Sequence, residues 1–376
     1  MLWFIINNIK ENKKILLYSG GCILLSLLFL YFARSAEGFA EWYATSLYPL
    51  FLNTFGRLFS FVPFSVFEIV LGSTLLMFGY LLLKALLLII IKSPYRKAFL
   101  IKSFRRSLCF LSSLLLLFVL TGSINYSRTA FAETANIAIE QSSKENLTRL
   151  CLMLIEDLSA ISPKILTNED STLAFNQNDI GIEAITAMKN IGNQYRTLSG
   201  YYPNPKPIFL SDVMSSLGIA GIYSPFTIEA NYNENIPPYM IPYTICHELA
   251  HLKGFMKEDE ANFIAYLACR DSSSPVFQYS GAVNALSYSL NALYKSTDSE
   301  NFAAVYSLIP DQIKEELKYN QNYWEKHTST VSSIAESINN QYLKANDQVD
   351  GNNSYGKMVD LLLSEYIHTI KGEMLL

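Results

Sequence analysis

"CHELAHLKGFMKEDEANF", residues 246–263, places two of the chain's four histidines and four carboxylates within one short stretch. His247 and His251 stand four apart, so on a helix they share a face with Cβ atoms about 5–6 Å apart. Both imidazoles can then reach one zinc ion at about 2.0–2.1 Å. Glu248 sits beside the pair, where a carboxylate can take a proton from a water activated by the ion. Leu249 and Ala250 turn to the opposite side and suit packing. Pro242 is placed to start this helix and Gly254 to end it. Glu258, Asp259 and Glu260 open a second helix, with acidic residues in the turn where the helix dipole favours them. The competing reading is a charged helix-turn-helix whose histidines serve the core or the surface.

The second helix repeats its faces at three and four residues, so Glu258 shares a side with Ala261, Asn262 and Ala265, and Glu260 with Phe263, Ile264 and Leu267. The first face is small and polar, which allows close approach to the His247 helix. It also places Asn262 to hydrogen-bond the outer nitrogen of a ligating histidine. Glu258 is therefore the expected third metal ligand. Glu260 is the alternative, because the short step from His251 favours a residue slightly farther along. Asp259 is shorter and turned about 100° away.

Outward from this stretch, Leu147, Leu150, Cys151, Leu154, Ile155 and Leu158 recur at helical spacing, and a second amphipathic helix runs from about Ile180 to Leu198. "GYYPNPKPIFLSD" (200–212) breaks that pattern with three prolines and leaves a short strand at Pro207 to Leu210. Further strands are expected within "GIAGIYSPFTIEANYN" (218–233), and helices fill nearly all of the rest. "NDQVDGNNSYG" (346–356) reads as a linker.

The chain is 376 residues long, 50% hydrophobic and only 16% charged, a balance that points to a membrane protein. Ile15 to Ala33 runs 19 positions without a charge, enough to cross a hydrocarbon core of about 30 Å. Phe64 to Ile91, interrupted only by Glu68 near its start and Lys84, and Leu108 to Ile124 are two more apolar runs. A cleaved signal peptide is the alternative for the first run, which is longer than such segments usually are. The chain thus divides into a membrane domain, 1–124, with spans at about 15–33, 64–91 and 108–124, and a water-soluble domain, 125–376. Lys10, Lys13 and Lys14 precede the first span, and Lys92, Arg96, Lys97, Lys102, Arg105 and Arg106 lie between the second and third. Only Arg34 and Arg57 fall between the first and second. The positive-inside rule then puts the N-terminus in the cytoplasm and the C-terminal domain outside a bacterial cytoplasmic membrane. Aromatics between Arg34 and Pro63 either line the membrane interface or pack into a small helical hairpin.

Cys22 and Cys109 lie in spans, and Cys151, Cys246 and Cys269 show no framework spacing, so all five read as small buried residues. A net charge of -4 and the lack of a basic stripe exclude nucleic acid as an expected partner. His327 and His368 have no partner spacing and read as surface residues.

The histidine motif followed by Glu258, Ala261 and Asn262 resembles the gluzincin zinc metallopeptidases. These include thermolysin-like enzymes, CAAX-type membrane proteases with Glu-x-x-Ala-Asp, and ImmA-type peptidases with Glu-x-x-Ala-Asn. Over nearly its whole length the chain also resembles an uncharacterised bacterial membrane-protein family of unknown function. The shared features are three N-terminal spans, "PFTIEAN" (225–231), "HELAH" (247–251), "EDEANFIAYLAC" (258–269) and "DGNNSYGKMVDLLL" (350–363).

The gluzincin resemblance implies an α+β, mostly helical chain, with a zincin-like extracytoplasmic domain carrying a small sheet. Its zinc is held by His247, His251 and Glu258, with Glu248 as general base. It also implies that Ser224 to Asn231 forms an edge strand above the cleft. There Phe226, Thr227, Ile228, Glu229, Ala230 and Asn231 offer backbone groups to an extended peptide. A Tyr or His from the C-terminal helices would complete the site as an oxyanion donor, Tyr355 being one choice. The chain departs from the pattern in its seven-residue step from His251 to Glu258, tighter than in most gluzincins. Gly254 matches the metzincin pattern, but Lys257 stands where that pattern has a third histidine and cannot ligate while charged.

The function expected is that of a membrane-anchored zinc endopeptidase acting on peptides or proteins near the bilayer surface. Two alternatives stand beside it: a sensor or assembly protein whose metallopeptidase-like domain only binds peptide, and a hydrolase of cell-envelope cross-link peptides. An intact Glu248 favours the enzymes.

Overall fold

The computed structural model describes residues 2–139, 142–168, 172–176, 179–346, 348 and 355–373, with all of their side chains except those of 2–12, 355–356 and 368–373. Three helices are long and apolar enough to cross a bilayer: α1 (Leu2–Ser35), α2 (Val66–Ile90) and α3 (Arg96–Thr121). None of the apolar window of α2 is buried against protein, and side chains such as Leu75, Leu76 and Leu83 face outward. Lipid is the medium that covers such a surface without penalty. α1 and α3 pack along each other, and α2 lies on α3. Ser65 starts α2 by accepting the Glu68 amide at 3.2 Å. The third helix begins at Arg96 rather than near Leu108. Lys, Arg, Ala and Leu are good helix formers, so most of the cations between the second and third spans ride on its first turns and not on a loop.

Residues 39–60 form consecutive helical turns, with π segments at Tyr43–Leu47 and Leu52–Gly56 on either side of Pro49, a residue that cannot donate a backbone hydrogen bond. The aromatics of this segment divide between two surfaces. Tyr43 and Tyr48 are buried, whereas Trp42, Phe55 and Phe61 are exposed.

The remaining helices of more than two turns are α4 (Lys144–Ile161), α5 (Ile180–Gln194), α6 (Met240–Leu252), α7 (Glu258–Arg270), α8 (Pro275–Ser296), α9 (Ser299–Ser307), α10 (Asp311–His327), α11 (Thr330–Ala345) and α12 (Tyr355–Glu373), with shorter ones at Phe131–Thr134 and Ser211–Ser216. The apolar stripe of α4 is buried throughout, as its spacing requires. α8 lies along α4, while α6 packs against α5, α7, α8 and the sheet. Ile245, Cys246, Leu249, Ala250 and Leu252 are wholly buried, and this fixes the rotation of α6 with His247 on its more open side. All five cysteines are free. His327 is half-buried rather than free on the surface: its ring packs on Tyr323 and its Nδ1 lies 2.8 Å from the Tyr323 carbonyl. The His368 side chain lies outside the described residues.

Two strands, β1 (Leu166–Thr167) and β2 (Leu173–Ala174), make a small antiparallel ladder. The main sheet holds β3 (Lys206–Pro207), β4 (Gly221–Ser224) and β5 (Glu229–Tyr232) in the order β3-β5-β4. The strand expected at Pro207 to Leu210 is shorter and starts one residue earlier, and Ile208 N–H adds a last bond to Tyr232.

The expected edge strand needs correction. Phe226, Thr227 and Ile228 form a turn, with Ile228 at φ 53°. Glu229, Ala230 and Asn231 belong to the central strand, flanked by β3 and β4, so their backbone groups are already taken. Alternation of apolar residues marks a strand but not its position in the sheet. β3, itself expected as a strand, pairs with β5 on the side away from β4, and nothing local in the sequence states that pairing. β3 and β4 are the outer strands, and β4 is the one that lies against the site.

The sheet is fastened to the spans at one end. Val66 and Phe67 N–H groups, the orphan donors that start α2, donate to Glu229 at 3.2 and 2.8 Å, and Glu229 is ion-paired to the buried Lys206. Phe209 and Leu210 N–H groups donate to Glu68 in the first turn of α2, both at 2.9 Å. At the end of α3, Thr121 Oγ1 donates to the Pro225 carbonyl at 2.7 Å and receives the Tyr223 hydroxyl on its own carbonyl at 2.9 Å.

Candidate metal centre

The site begins with the way α6 stops. Phe255 N–H donates to the Ala250 carbonyl at 3.2 Å and Gly254 N–H to that of His251 at 2.8 Å, with Gly254 at φ 87°. This double bond pattern closes a helix on a left-handed residue, which glycine adopts without a Cβ penalty. Remote segments satisfy the remaining carbonyls: Tyr48 hydroxyl donates to Leu252 at 3.0 Å, and Arg128 Nη1 to Lys253 at 3.0 Å. Arg128 is itself held by the Glu41 carboxylate and stacks on Phe255. Only Phe255, Met256 and Lys257 separate Gly254 from α7, so its first residue, Glu258, returns against the face that α6 has just presented.

Glu258 Oε2 lies 3.3 Å from His247 Nε2 and Oε1 lies 3.7 Å from His251 Nε2. One ligand atom from each residue falls within 4.8 Å of the other two. Tetrahedral zinc with bonds of about 2.0–2.1 Å separates its ligand atoms by about 3.3 Å, so the donor set fits that ion. The histidine protons agree. His251 Nδ1 is 2.8 Å from the Phe255 carbonyl, which can only accept, so the ring proton is there and Nε2 presents a bare lone pair to a carboxylate oxygen. Two acceptors facing each other are compatible when a cation lies between them.

The electrostatics describe the same arrangement. Burial would lower the basicity of His247, but the Glu258 carboxylate overrides it and raises the pKa. Burial and neighbouring His247 push His251 down to about 4. Glu258 is held down at about 2 because the two histidines outweigh its burial.

Glu248 is buried, pushed up to about 8 by loss of solvent, and its Oε2 has no hydrogen-bond partner. It backs onto β4 at Gly221, where a Cβ would stand 2.4 Å from Glu248 Oε1 and 2.8 Å from Thr244 Cγ2. Only glycine fits there. Asn233 N–H bonds the Ala220 carbonyl, which sets the alternation of the β4–β5 ladder. The backbone groups of Gly221 and Tyr223 therefore turn away from β5, and the Tyr223 amide lies against the Glu248 carboxylate.

Asn262 lies beside His247, but the hydrogen bond expected from it to the outer ring nitrogen is not formed, and its Oδ1 accepts the Tyr243 hydroxyl at 3.2 Å instead. His247 Nδ1 is buried and makes no hydrogen bond. Glu260 points elsewhere: its Oε1 accepts the Phe131 N–H at 3.1 Å, and burial pushes its pKa up to about 7. Phe226 packs on Phe118 of α3, and Ile228 joins the core. The side chain of Tyr355 lies outside the described residues.

Sequence reasoning missed two tyrosines. Tyr126, just after α3, donates its hydroxyl to that of Tyr342 on α11 at 3.1 Å. Burial and the Glu258 charge raise the Tyr342 hydroxyl, which places it in electrostatic reach of the cluster. More than two hundred positions separate the pair, and no local pattern links them.

Fold and site together define a mostly helical chain with three bilayer-length apolar helices and a two-histidine, one-glutamate cluster beside a buried carboxylate. The chain belongs to the family described as "Protein of unknown function (DUF3810)", which matches residues 43–363. No curated protein and no solved structure matches it.

Proposed function

We propose that this chain is a membrane-anchored, zinc-dependent endopeptidase of gluzincin type, with His247, His251 and Glu258 as the metal ligands and Glu248 as general base. The observation that carries the reading is the convergence of three metal-binding atoms within 4.8 Å of one another beside a buried, unpartnered carboxylate oxygen. Zinc in this position supplies Lewis acidity and brings the pKa of a water close to 7. Glu248, with its Oε2 free of partners, holds the transferred proton. Gly221 and the Tyr223 carbonyl on the outer strand β4 pair with an extended peptide, in place of the segment 226–231, the Tyr223 amide being held by Glu248. Tyr342, which accepts the Tyr126 hydroxyl and lies within electrostatic reach of Glu258, is the candidate hydroxyl donor. Purified chain in lipid vesicles is expected to bind one zinc per molecule, lose peptide hydrolysis on chelation and regain it on zinc addition. Hydrolysis indifferent to chelation overturns the metal reading.

The substrate is peptide or protein close to the membrane, because the sheet beside the site is fastened to the ends of α2 and α3. Those ends are the ones that the distribution of basic residues assigns to the outside of a bacterial cytoplasmic membrane. Protease added to intact spheroplasts is expected to digest the domain after residue 125. Full protection of that domain, with cleavage among residues 92–106 instead, inverts the topology.

A further inference from the structure

We propose that Phe61, Phe64, Phe209, Leu210 and Val213 form a second membrane contact, inserting into the lipid headgroup boundary beside the outer end of α2. These side chains are 87%, 53%, 90%, 54% and 51% exposed. Isolated apolar residues on a surface are ordinary, but five large ones at one place mark an interaction site.

Their partner is identified by where the backbone holds them. Phe209 and Leu210 are hydrogen-bonded to Glu68, in the first turn of α2. Phe61 and Phe64 belong to the turn between Ser60, whose hydroxyl accepts the Asn204 N–H at 2.9 Å, and Ser65, which starts α2. The two segments thus run side by side, both tied to the level at which α2 leaves the hydrocarbon. At that level the medium is the headgroup boundary, where aromatic residues concentrate. The short helix Ser211–Ser216 that follows is amphipathic in the same sense. It turns Val213 outward, while Ser211 and Ser215 are buried in hydrogen bonds to the domain. Asp212, beside Val213, is tied to Asn235, so the polar neighbour of the patch remains on the domain side.

The rigid bonds to Glu68 make the contact one of position as well as affinity. With Glu229 capping α2 from the sheet and Glu68 of α2 holding the backbone of Phe209 and Leu210, a patch seated in lipid fixes the height of the sheet over the bilayer. This inference depends on α2 spanning the membrane and not on the catalytic reading.

The experiment is fluorescence quenching of a Phe209→Trp variant of the full chain in vesicles, measured against the unsubstituted chain. Tryptophan at so exposed a position preserves the fold. The added fluorescence is expected to fall in vesicles containing brominated phosphatidylcholine, most strongly when the bromines lie near the ester end of the acyl chain, as insertion of about 5–10 Å requires. It is also expected to resist iodide in the water phase. Quenching by iodide without quenching by bromine shows a side chain in water and overturns the proposal. Resistance to both quenchers shows the patch covered by protein and overturns it equally.

Discussion

Replacing Glu248 with glutamine is expected, on the proposed endopeptidase reading, to lower peptide hydrolysis by about 10²- to 10⁴-fold while zinc content and fold stay unchanged. The amide has the shape of the carboxylate and fills the same space against Gly221, so packing gives no reason for unfolding. It cannot take a proton, and Glu248 is the carboxylate next to the ligand set that has an oxygen free of partners. Turnover and zinc content measured on one preparation separate the outcomes. Undiminished turnover removes Glu248 from the mechanism, while loss of zinc makes it structural. Gly221→Ala gives a companion variant in which the base is left in place but displaced, because the new methyl would stand 2.4 Å from its oxygen. A loss of turnover with zinc retained is expected there too, since misplacement of a catalytic group by about 1 Å can cost on the order of 10²-fold.

The parts of this site that were legible in the sequence are those set by local periodicity. His247 and His251 share a face because they stand four apart, and Glu258 and Asn262 share one for the same reason, so both halves of the cluster were readable before the helices were packed. Gly254 announced the reversal, since only a left-handed residue closes α6 so abruptly. The apolar helices and the α4 stripe follow from the same regularity. What escaped were features that depend on which segments meet. Whether the strand at Glu229–Tyr232 lies at an edge depends on its pairing with Lys206–Pro207, a strand that was legible near there while the pairing was not. Residues 39–60 read as an aromatic loop or a small helical hairpin, yet Tyr48 reaches the Leu252 carbonyl at the end of α6, 204 positions away, and Glu41 holds Arg128, which bonds the Lys253 carbonyl. Tyr126 and Tyr342 were invisible for the same reason.

Zinc content distinguishes Glu258 from Glu260 as the third ligand, with Glu258→Gln expected to lose the metal and Glu260→Gln to keep it. The short step from His251 argued for the more distant carboxylate, but the turn at Gly254 is tight enough to bring the nearer one home. Glu258 Oε2 and Oε1 face His247 and His251 at 3.3 and 3.7 Å, whereas Glu260 is turned to the Phe131 amide and to Lys257. Exchanging Glu258 for an amide removes the anionic member of the donor set and leaves two neutral imidazoles, a weaker and cationic site once zinc is bound. The loss in affinity should exceed the roughly 10- to 100-fold that changes around a ligand set produce. Glutamine at 260 retains an oxygen for the Phe131 N–H, so that variant should fold and bind zinc as the parent does. Its thermal unfolding serves as the control that both chains are intact. Zinc retained by Glu258→Gln and lost by Glu260→Gln would reverse the assignment, and the cluster at 258 would then be an ordinary histidine–carboxylate contact.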